Sequence, residues 1–483
     1  MTYLETWRLR AEFARRLSDL YGTEVPAYTT LVDVSQRVNA KVLSERGASA
    51  ERLGSIGRVT AERHGAIRVG TPAELAQVAR IFGALGMSPV GFYDLRDAAP
   101  RPIPVVSTAF RPTAAPELAK NPFRVFVSLL VPEDGRFFDA DLTRRLHAFL
   151  SRRRLFPDEL LTLADSAEAD GGLDTGRAAR FLDLAVAAFA LSDEPVDRGW
   201  YQELEAVSSV AADIGGVTTT HINHLTPRVL DIDELYREMS RRGVEMIDEI
   251  QGPPRWDGPD VLLRQTSFRA LAEPRRFRDA DGTVGSGELR VRFGEVEARG
   301  IALTTAGRNL YDALVAEVDR RQPGSTSPRQ DVARQVWSEH MPRTERELAA
   351  GDLAFFTYEI DGTRPLDGTA PPAGLSRLLA EGWVVPRPIV YEDFLPRSAA
   401  GIFSSNLTSA GAVTDTGGGV HRDAEWMSAA IGRRVQEPGE LYEAQRAESL
   451  RQVAAGLGLD AIHLPGDELS SVAGGRTAHG GVR

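Results

Sequence analysis

The hydrophobic and polar positions of the chain predict the same five-element module twice. The first copy consists of a strand, a helix and three strands, predicted at 63–70, 72–86, 89–95, 104–110 and 123–131. The second copy has the same order, predicted at 218–228, 233–242, 245–247, 261–268 and 288–298. The repeat is one of pattern, without obvious identity between the copies. Each copy opens on a strand that carries a histidine, His64 in the first and His224 in the second.

The remaining segments frame these two modules. An amphipathic helix is predicted at 1–21, and the chain divides into units at 1–135, 136–212, 213–304 and 305–483. The second unit is a helical insertion. In the fourth, helices are predicted at 305–321, 330–349 and 439–457, and strands at 353–361 and 382–391. We expect an α+β fold, in which paired β-α-β-β-β modules form a central curved mixed sheet and carry the helical insertion and a C-terminal α/β extension.

The composition of the chain excludes several kinds of binding partner and of catalytic chemistry. The 483 residues carry a net charge of −11 without a dense basic run, so nucleic acid and anionic membranes are poor partners. Cysteine is absent, which excludes thiolate metal sites and a cysteine nucleophile, so any metal must be held by His, Asp or Glu. The N-terminal helix lacks the apolar block of a signal peptide, and no apolar run reaches the roughly 20 residues of a membrane span. We expect a cytoplasmic protein.

The stretch 218–228 is the centre of the second module. Side chains alternate along a strand, so His224 faces one side and His221 the other, and the two cannot easily bind one metal. In the predicted strand at 289–300, Glu295 and Glu297 share one face. Two imidazoles and one carboxylate from three strands can hold Fe(II) with positions left for substrate and O2, and Zn(II) uses the same ligand types.

Five ordered phrases resemble the 2-oxoadipate dioxygenase/decarboxylase (2-hydroxyglutarate synthase) family. They lie at 63–68, 221–228, 263–268, 293–304 and 394–403. The family belongs to the vicinal oxygen chelate superfamily, whose paired modules agree with the order above. The resemblance implies a non-haem Fe(II) enzyme of lysine breakdown. Its substrates would be a 2-oxo dicarboxylic acid, 2-oxoadipate, and O2, and its products D-2-hydroxyglutarate and CO2.

The resemblance also implies the metal ligands. The family's first ligand falls on His64, the second on His224, the histidine that follows an asparagine, and the third on Glu295 in a Phe-x-Glu-Val strand. His221 is the rival of His224, and Glu297 is the rival of Glu295, since periodicity does not separate the two glutamates.

The family's substrate contacts fall on Arg68, Arg397 and Ser398. Arg68 lies four residues after His64, on the same face of a strand, at a backbone separation of roughly 13 Å. An arginine there suits a distal carboxylate, because its planar fork binds a carboxylate through two hydrogen bonds. Arg397 stands where we expect valine in the family, and an added cation near a dicarboxylate would alter specificity.

Two other classes of function use the same residues. One is a Zn(II)-dependent hydrolase or isomerase that acts on a related oxoacid. The other is a module that binds a dicarboxylate without catalysis. Nucleotide enzymes are disfavoured, because neither a Walker nor a Rossmann glycine pattern occurs between a strand and a helix.

Overall fold

The computed structural model describes residues 3–61, 63–98, 102–290, 292–364, 368–395 and 419–465, and its N-terminal segment is mostly helical. Strand β1, helices α1 to α3 and a 3-10 helix lie at Tyr3–Glu5, Thr6–Glu24, Pro26–Arg46, Ile56–Ala61 and Gly47–Glu51. The predicted N-terminal helix is confirmed and begins at Thr6. Helix α2 was not predicted, although Leu31, Val34 and Val38 form part of a buried helical stripe. It begins at a proline, which suits a first helical position because no N–H is needed there.

The first module has the predicted order, with one short helix added. Elements β2, α4, β3, β4, α5 and β5 lie at Arg63–Val69, Pro72–Ala84, Ser88–Asp94, Val105–Arg111, Ala115–Lys120 and Arg124–Leu130. Helix α4 begins at a capping box. The Thr71 hydroxyl accepts the N–H of Glu74, whose carboxylate accepts the N–H of Thr71. This reciprocal cap fixes the turn that directly follows β2.

The insertion is helical, as predicted. Elements α6, α7, β6, α8, β7, α9 and α10 lie at Ala140–Leu150, Asp158–Asp170, Gly172–Asp174, Thr175–Ala187, Val196–Asp197, Arg198–Val207 and Ser209–Gly215. Strand β6 pairs antiparallel with β1, so the beginning of the chain is attached to the insertion. Helix α10 ends a few residues before the second histidine-bearing strand.

The second module departs from the sequence expectation in four places. One of them is the strand expected at 245–247, where only an isolated bridge between Met246 and Phe268 forms. Elements β8, α11, β9, β10, β11 and β12 lie at His224–Pro227, Ile232–Arg241, Leu263–Ser267, Glu273–Arg278, Val284–Leu289 and Glu295–Arg299. The strand expected at 218–228 is therefore only four residues long. The strand expected at 288–298 is broken between β11 and β12, where a Cβ on Gly294 would lie 2.1 Å from the Phe268 ring. The β10–β11 hairpin was not predicted.

The C-terminal extension contains helices and a small sheet. Elements α12, α13, α14, β13, α15, β14, α16 and α17 lie at Thr305–Arg321, Arg329–His340, Glu345–Ala350, Phe356–Ile360, Leu375–Ala380, Val384–Pro388, Ala424–Ile431 and Pro438–Leu457, with a 3-10 helix at Gln322–Gly324. The single helix expected at 330–349 is two helices, because Pro342 interrupts the backbone hydrogen bonds between them. None of the helices in the described ranges is long and apolar enough to cross a membrane.

The largest sheet in the described residues is mixed and has five strands, in the order β3-β4-β5-β2-β8. Strand β2 is parallel to β5 and antiparallel to β8, while the remaining neighbours are antiparallel. Ile67 and Val69 of β2 enter the large apolar core together with helices α1, α2 and α4. By alternation His64, Ala66 and Arg68 face the other side. One strand thus supplies both the core and the site.

Candidate metal centre

Two histidines meet on one face of the central sheet. Strands β2 and β8 run antiparallel with His64 opposite Thr226 and Ala66 opposite His224. Because these positions are two apart on each strand, both imidazoles project from the same face. The ring centroids lie 5.4 Å apart with an interplanar angle of 84°. Edge-on rings at this separation turn their nitrogens toward a shared space.

The third member of the cluster is Glu295, at the beginning of β12. Its carboxylate oxygens lie 3.7 Å from Nε2 of His64 and 3.4 Å from Nε2 of His224. One donor atom from each of the three residues lies within 4.8 Å of the others, and all three side chains are buried. Strand β12 is held beside the end of β8 by a backbone hydrogen bond, in which the Val229 N–H donates to the Glu297 carbonyl at 2.8 Å. This bond places Glu295 near the two histidines.

Aromatic side chains close the surroundings of the cluster. The Phe394 ring meets His64 edge-on at 4.9 Å, and the Phe293 ring lies 5.0 Å from His224. The Tyr21 hydroxyl is 2.9 Å from the carbonyl oxygen of Asn223 and 2.8 Å from that of Phe293. This single hydroxyl therefore holds together the segments that precede β8 and β12. Aromatic rings therefore cover both imidazoles of the buried cluster.

Burial and neighbouring charges shift the pKa values of all three residues of the cluster. Burial, together with the charges of His64 and Arg68, holds the pKa of His224 well below its ordinary value. Burial raises the pKa of Glu295, with His64 opposing. Burial alone would lower the pKa of His64, but Glu297 and Glu295 outweigh it and raise that pKa. A divalent cation between the three donors would offset the cost of burying the Glu295 carboxylate beside two imidazoles.

Glu297 has a position different from that of Glu295. One carboxylate oxygen lies 3.0 Å from Nδ1 of His64. Arg299 grips the same carboxylate through two bonds of 2.8 Å, and Arg124 donates to it at 2.6 Å. Burial would raise the pKa of Glu297, but the charges of Arg299, His64 and Arg124 keep it well below its ordinary value. Of the two rival glutamates, Glu295 is the one that neighbours both Nε2 atoms.

His221 lies in a separate cluster with Asp213. Its Nε2 is 3.3 Å from an Asp213 oxygen and 3.2 Å from the amide nitrogen of Asn223. Burial lowers the pKa of His221 to about 4, with the Arg292 charge contributing and the Asp213 charge opposing. The separation of His221 from His224 was expected from strand alternation, but 217–223 is irregular backbone, so alternation is not the reason. The backbone N–H of Asn223 bonds to the Ala66 carbonyl at 2.8 Å instead.

Arg68 faces the same side of β2 as His64 and is bonded to a buried carboxylate. Its Nη1 donates to Asp213, which also accepts the amide of Asn223 at 2.9 Å. The Thr220 hydroxyl donates to the Arg68 carbonyl at 2.7 Å. The Arg68 guanidinium is thus held in place by its counter-ion. The other two expected substrate contacts, Arg397 and Ser398, lie outside the described residues.

Several residues of the site were not recognised from the sequence. Asp213 precedes the small-residue run before 217–223. A single aspartate at that place in the sequence does not indicate that it will be buried and paired with Arg68. Arg124 lies on β5, next to β2 in the sheet, in register with His64. Phe394 is the first residue of the phrase at 394–403 that resembles the family. Its place near the site could therefore have been inferred from that phrase. The contacts of Asp213 and Arg124 arise from sheet order, which a local pattern does not specify.

Two modules that each open on a histidine-bearing strand, with a buried glutamate between the two imidazoles, are consistent with a vicinal oxygen chelate-like fold whose three side chains could hold a metal. Comparison with known proteins gives the family. The family model described as 2-oxoadipate dioxygenase/decarboxylase matches residues 13–406. The chain therefore belongs to the 2-oxoadipate dioxygenase/decarboxylase family, and its class is that of a decarboxylating oxidoreductase that uses O2. Both were expected from the sequence and are confirmed.

Relatives match over nearly their whole length. The 2-oxoadipate dioxygenase/decarboxylase of Mycobacterium tuberculosis is 57% identical over 448 residues, which cover 93% of this chain and 99% of the relative. The Pseudomonas putida protein of the same name is 39% identical over 466 residues, with 94% and 98% covered. The crystal structure of the hydroxyglutarate synthase from Pseudomonas putida in complex with 2-oxoadipate superposes with a TM-score of 0.80 at 36% identity, covering 95% and 99% of the two chains.

Proposed function

We propose that this protein converts 2-oxoadipate and O2 into D-2-hydroxyglutarate and CO2 at an Fe(II) ion held by His64, His224 and Glu295. The observation that carries the proposal is the buried cluster of these three side chains, with one donor atom from each within 4.8 Å of the others. Two imidazoles and one carboxylate match the donors that bind Fe(II) in oxygenases. The names of the relatives supply the substrate. Lysine breakdown and a cytoplasmic location are the context that we propose for it.

Bound Fe(II) would activate O2 for reaction and anchor the 2-oxo group and its carboxylate, while the substrate supplies the electrons of the overall conversion. The protein's own contribution is to hold and orient. Glu297 lies against Nδ1 of His64, so it fixes the ring and leaves Nε2 for the metal. Arg299 and Arg124 keep Glu297 ionised and immobile in this role.

The apolar walls have a second task, which is to exclude water. Phe394 and Phe293 cover the two imidazoles. A dry site strengthens every charge interaction within it and protects oxygen chemistry from side reactions. No protein acid or base is required for the overall conversion, because the carboxylate lost as CO2 leaves without a proton from the protein.

Substrate orientation would come from the far end of β2. Arg68 lies four residues from His64 on the same face, about 13 Å along the strand. A six-carbon diacid that binds the metal through its 2-oxoacid end therefore extends toward Arg68. Arg397 and Ser398 stay predicted substrate contacts.

The fate of the two oxygen atoms of O2 provides a test of the proposed function. 2-Oxoadipate plus O2 equals 2-hydroxyglutarate plus CO2, so one O2 is consumed for each CO2 released. One oxygen atom becomes part of the new carboxylate and the other becomes the hydroxyl. With isotopically labelled O2, mass spectrometry of the product should find both labels in 2-hydroxyglutarate and none in CO2. A product formed without O2 uptake would favour the Zn(II) hydrolase or isomerase and contradict the proposal.

A further inference from the structure

A short segment of the C-terminal extension, 391–394, lies against the metal centre. It follows β14, and all four of its side chains are buried. Two of its backbone carbonyls, those of Tyr391 and Asp393, accept hydrogen bonds of 3.0 and 2.6 Å from Nη1 of Arg299. Arg299 is the arginine that binds Glu297 through two further bonds. The extension therefore contacts the residues that surround the cluster, although it supplies none of the three donors.

The carboxylate of Glu392, in the middle of this segment, bridges two arginines from distant parts of the chain. One oxygen accepts a hydrogen bond from Arg58 in α3, and the other accepts one of 2.9 Å from Nη1 of Arg124 in β5. The backbone N–H of Glu392 donates to the Tyr442 hydroxyl at 2.8 Å. The residue is only 2% exposed, so these charge-assisted bonds form away from water.

Arg124 continues the connection toward the metal centre. While its Nη1 donates to Glu392, its Nη2 donates to Oε1 of Glu297 at 2.6 Å. One planar guanidinium group thus joins two buried carboxylates. Arg58, Glu392, Arg124 and Glu297 form a series of alternating charges, which we call the ion-pair chain. It ends at His64, whose Nδ1 lies 3.0 Å from Oε2 of Glu297.

The position of Glu297 depends on both of its arginines. Its Oε1 accepts from Arg124 and from Arg299, whereas its Oε2 accepts from Arg299 and lies beside the His64 ring. Because a carboxylate is rigid and planar, a displacement of Oε1 also moves Oε2 relative to the imidazole. Backbone carbonyls hold Arg299, and Glu392 holds the side of Arg124 that faces away from Glu297.

We propose that Glu392 is a positioning residue for His64 and acts through Arg124 and Glu297. The proposal rests on the metal centre proposed above. The outer partners of a metal-binding histidine fix the orientation of its ring, and these partners need fixing in turn. The C-terminal extension thus completes the metal centre by supplying Glu392, a residue that touches neither metal nor substrate.

The test is the affinity of the metal-free protein for Co(II), measured by isothermal titration calorimetry in the wild type and in Glu392→Gln. Glutamine keeps the shape of the side chain, removes its charge and places an amide donor beside one of the two arginines. We expect an affinity loss of about 10-fold, the lower end for outer partners of a metal-binding histidine, because Glu392 acts through two other residues. Unchanged affinity would overturn the proposal.

Asp134→Asn is the matched control. Asp134 is also a fully buried carboxylate that bridges two arginines, Arg96 and Arg136. Both substitutions leave buried arginines without a charged partner, so both should lower the Tm. Only Glu392→Gln should also weaken Co(II) binding. Equal losses of affinity in the two variants would assign the effect to general destabilisation and overturn the proposal.

A double variant tests the route through Glu297. In the Glu297→Gln background, adding Glu392→Gln should cause little further loss of Co(II) affinity, because the residue that transmits the effect is already changed. A second loss of about 10-fold would show that the two residues act independently and would overturn the proposal.

A conservative variant covers the case in which Glu392→Gln does not fold. Glu392→Asp keeps the charge with a shorter reach, so it should give a smaller loss of Co(II) affinity in the same direction. Unchanged affinity in a folded Glu392→Asp would then overturn the proposal. Failure of the wild type to bind one Co(II) per chain would instead count against the proposed metal centre.

Discussion

Glu297 lies 3.0 Å from Nδ1 of His64, while Glu295 approaches the other nitrogen of the same ring, Nε2, at 3.7 Å. The two glutamates share one face of β12 but serve opposite sides of one imidazole. Carboxylates that contact the outer nitrogen of a metal-binding histidine fix its tautomer and orientation. We therefore assign orientation to Glu297 and metal binding to Glu295.

The first prediction concerns Glu297→Gln. This change keeps the shape of the side chain and removes the charge that Arg299 and Arg124 balance. We expect a loss of roughly 10- to 100-fold in affinity for a divalent metal, since partners of this kind typically contribute that much. Isothermal titration calorimetry of the metal-free protein with Co(II) measures this affinity. Glu359→Gln, on an exposed strand position paired with Arg387, is the control. Unchanged affinity in Glu297→Gln would contradict the orienting role.

The second prediction concerns pH and His221, whose pKa burial lowers to about 4. Unfolded, this histidine titrates near 6.5, so between pH 6.5 and 4 the unfolded state binds more protons. Stability should therefore fall as the pH is lowered through this window, by about 3 kcal/mol in total from this group.

The variant His221→Gln isolates that contribution. Urea unfolding of wild type and variant at several pH values between 4 and 7 should give a shallower loss of stability for the variant. The variant should also retain one metal ion per chain, because His221 contacts Asp213 and not the cluster. Identical pH profiles, or loss of the metal, would contradict this assignment.

The order of the first module was predictable because its elements have clear periods and clear ends. The apolar positions of α4 repeat every three or four residues, and Thr71 and Pro72 mark its beginning. Its strands β4 and β5 are short, buried and rich in valine and other apolar residues. Helix α2 was missed although the same period is present in it, because Thr29, Thr30 and several valines also favour extended structure.

The site was predictable in part. His64, His224 and Glu295 lie in phrases that carry the family resemblance, and the structure brings them together. Asp213 was not found, because its position depends on how distant segments pack. The irregular backbone at 217–223 also shows the limit of strand alternation, since the register there is set by the bond from Asn223 to Ala66.

The third prediction concerns Arg68. If it orients the distal carboxylate, Arg68→Ala should lower kcat/KM for 2-oxoadipate about 10- to 150-fold more than for 2-oxohexanoate, which has the same chain length but lacks the distal carboxylate. This range follows from the roughly 1.5–3 kcal/mol of a charge-assisted hydrogen bond. The variant should also be less stable, because Asp213 is left buried without its cation. Adding Asp213→Asn should restore stability and leave the selectivity low. Equal losses on the two acids would assign Arg68 to the fold alone.

The central claim is that His64, His224 and Glu295 hold a catalytic Fe(II). The most direct measurement strips the protein of metal, reloads it with Fe(II) or Zn(II), and follows O2 uptake with 2-oxoadipate in wild type, His224→Ala and His221→Ala. We predict O2 uptake with Fe(II) in the wild type and in His221→Ala, with none in His224→Ala and none with Zn(II). Full activity with Zn(II) without O2 uptake, or activity retained in His224→Ala and lost in His221→Ala, would contradict the account.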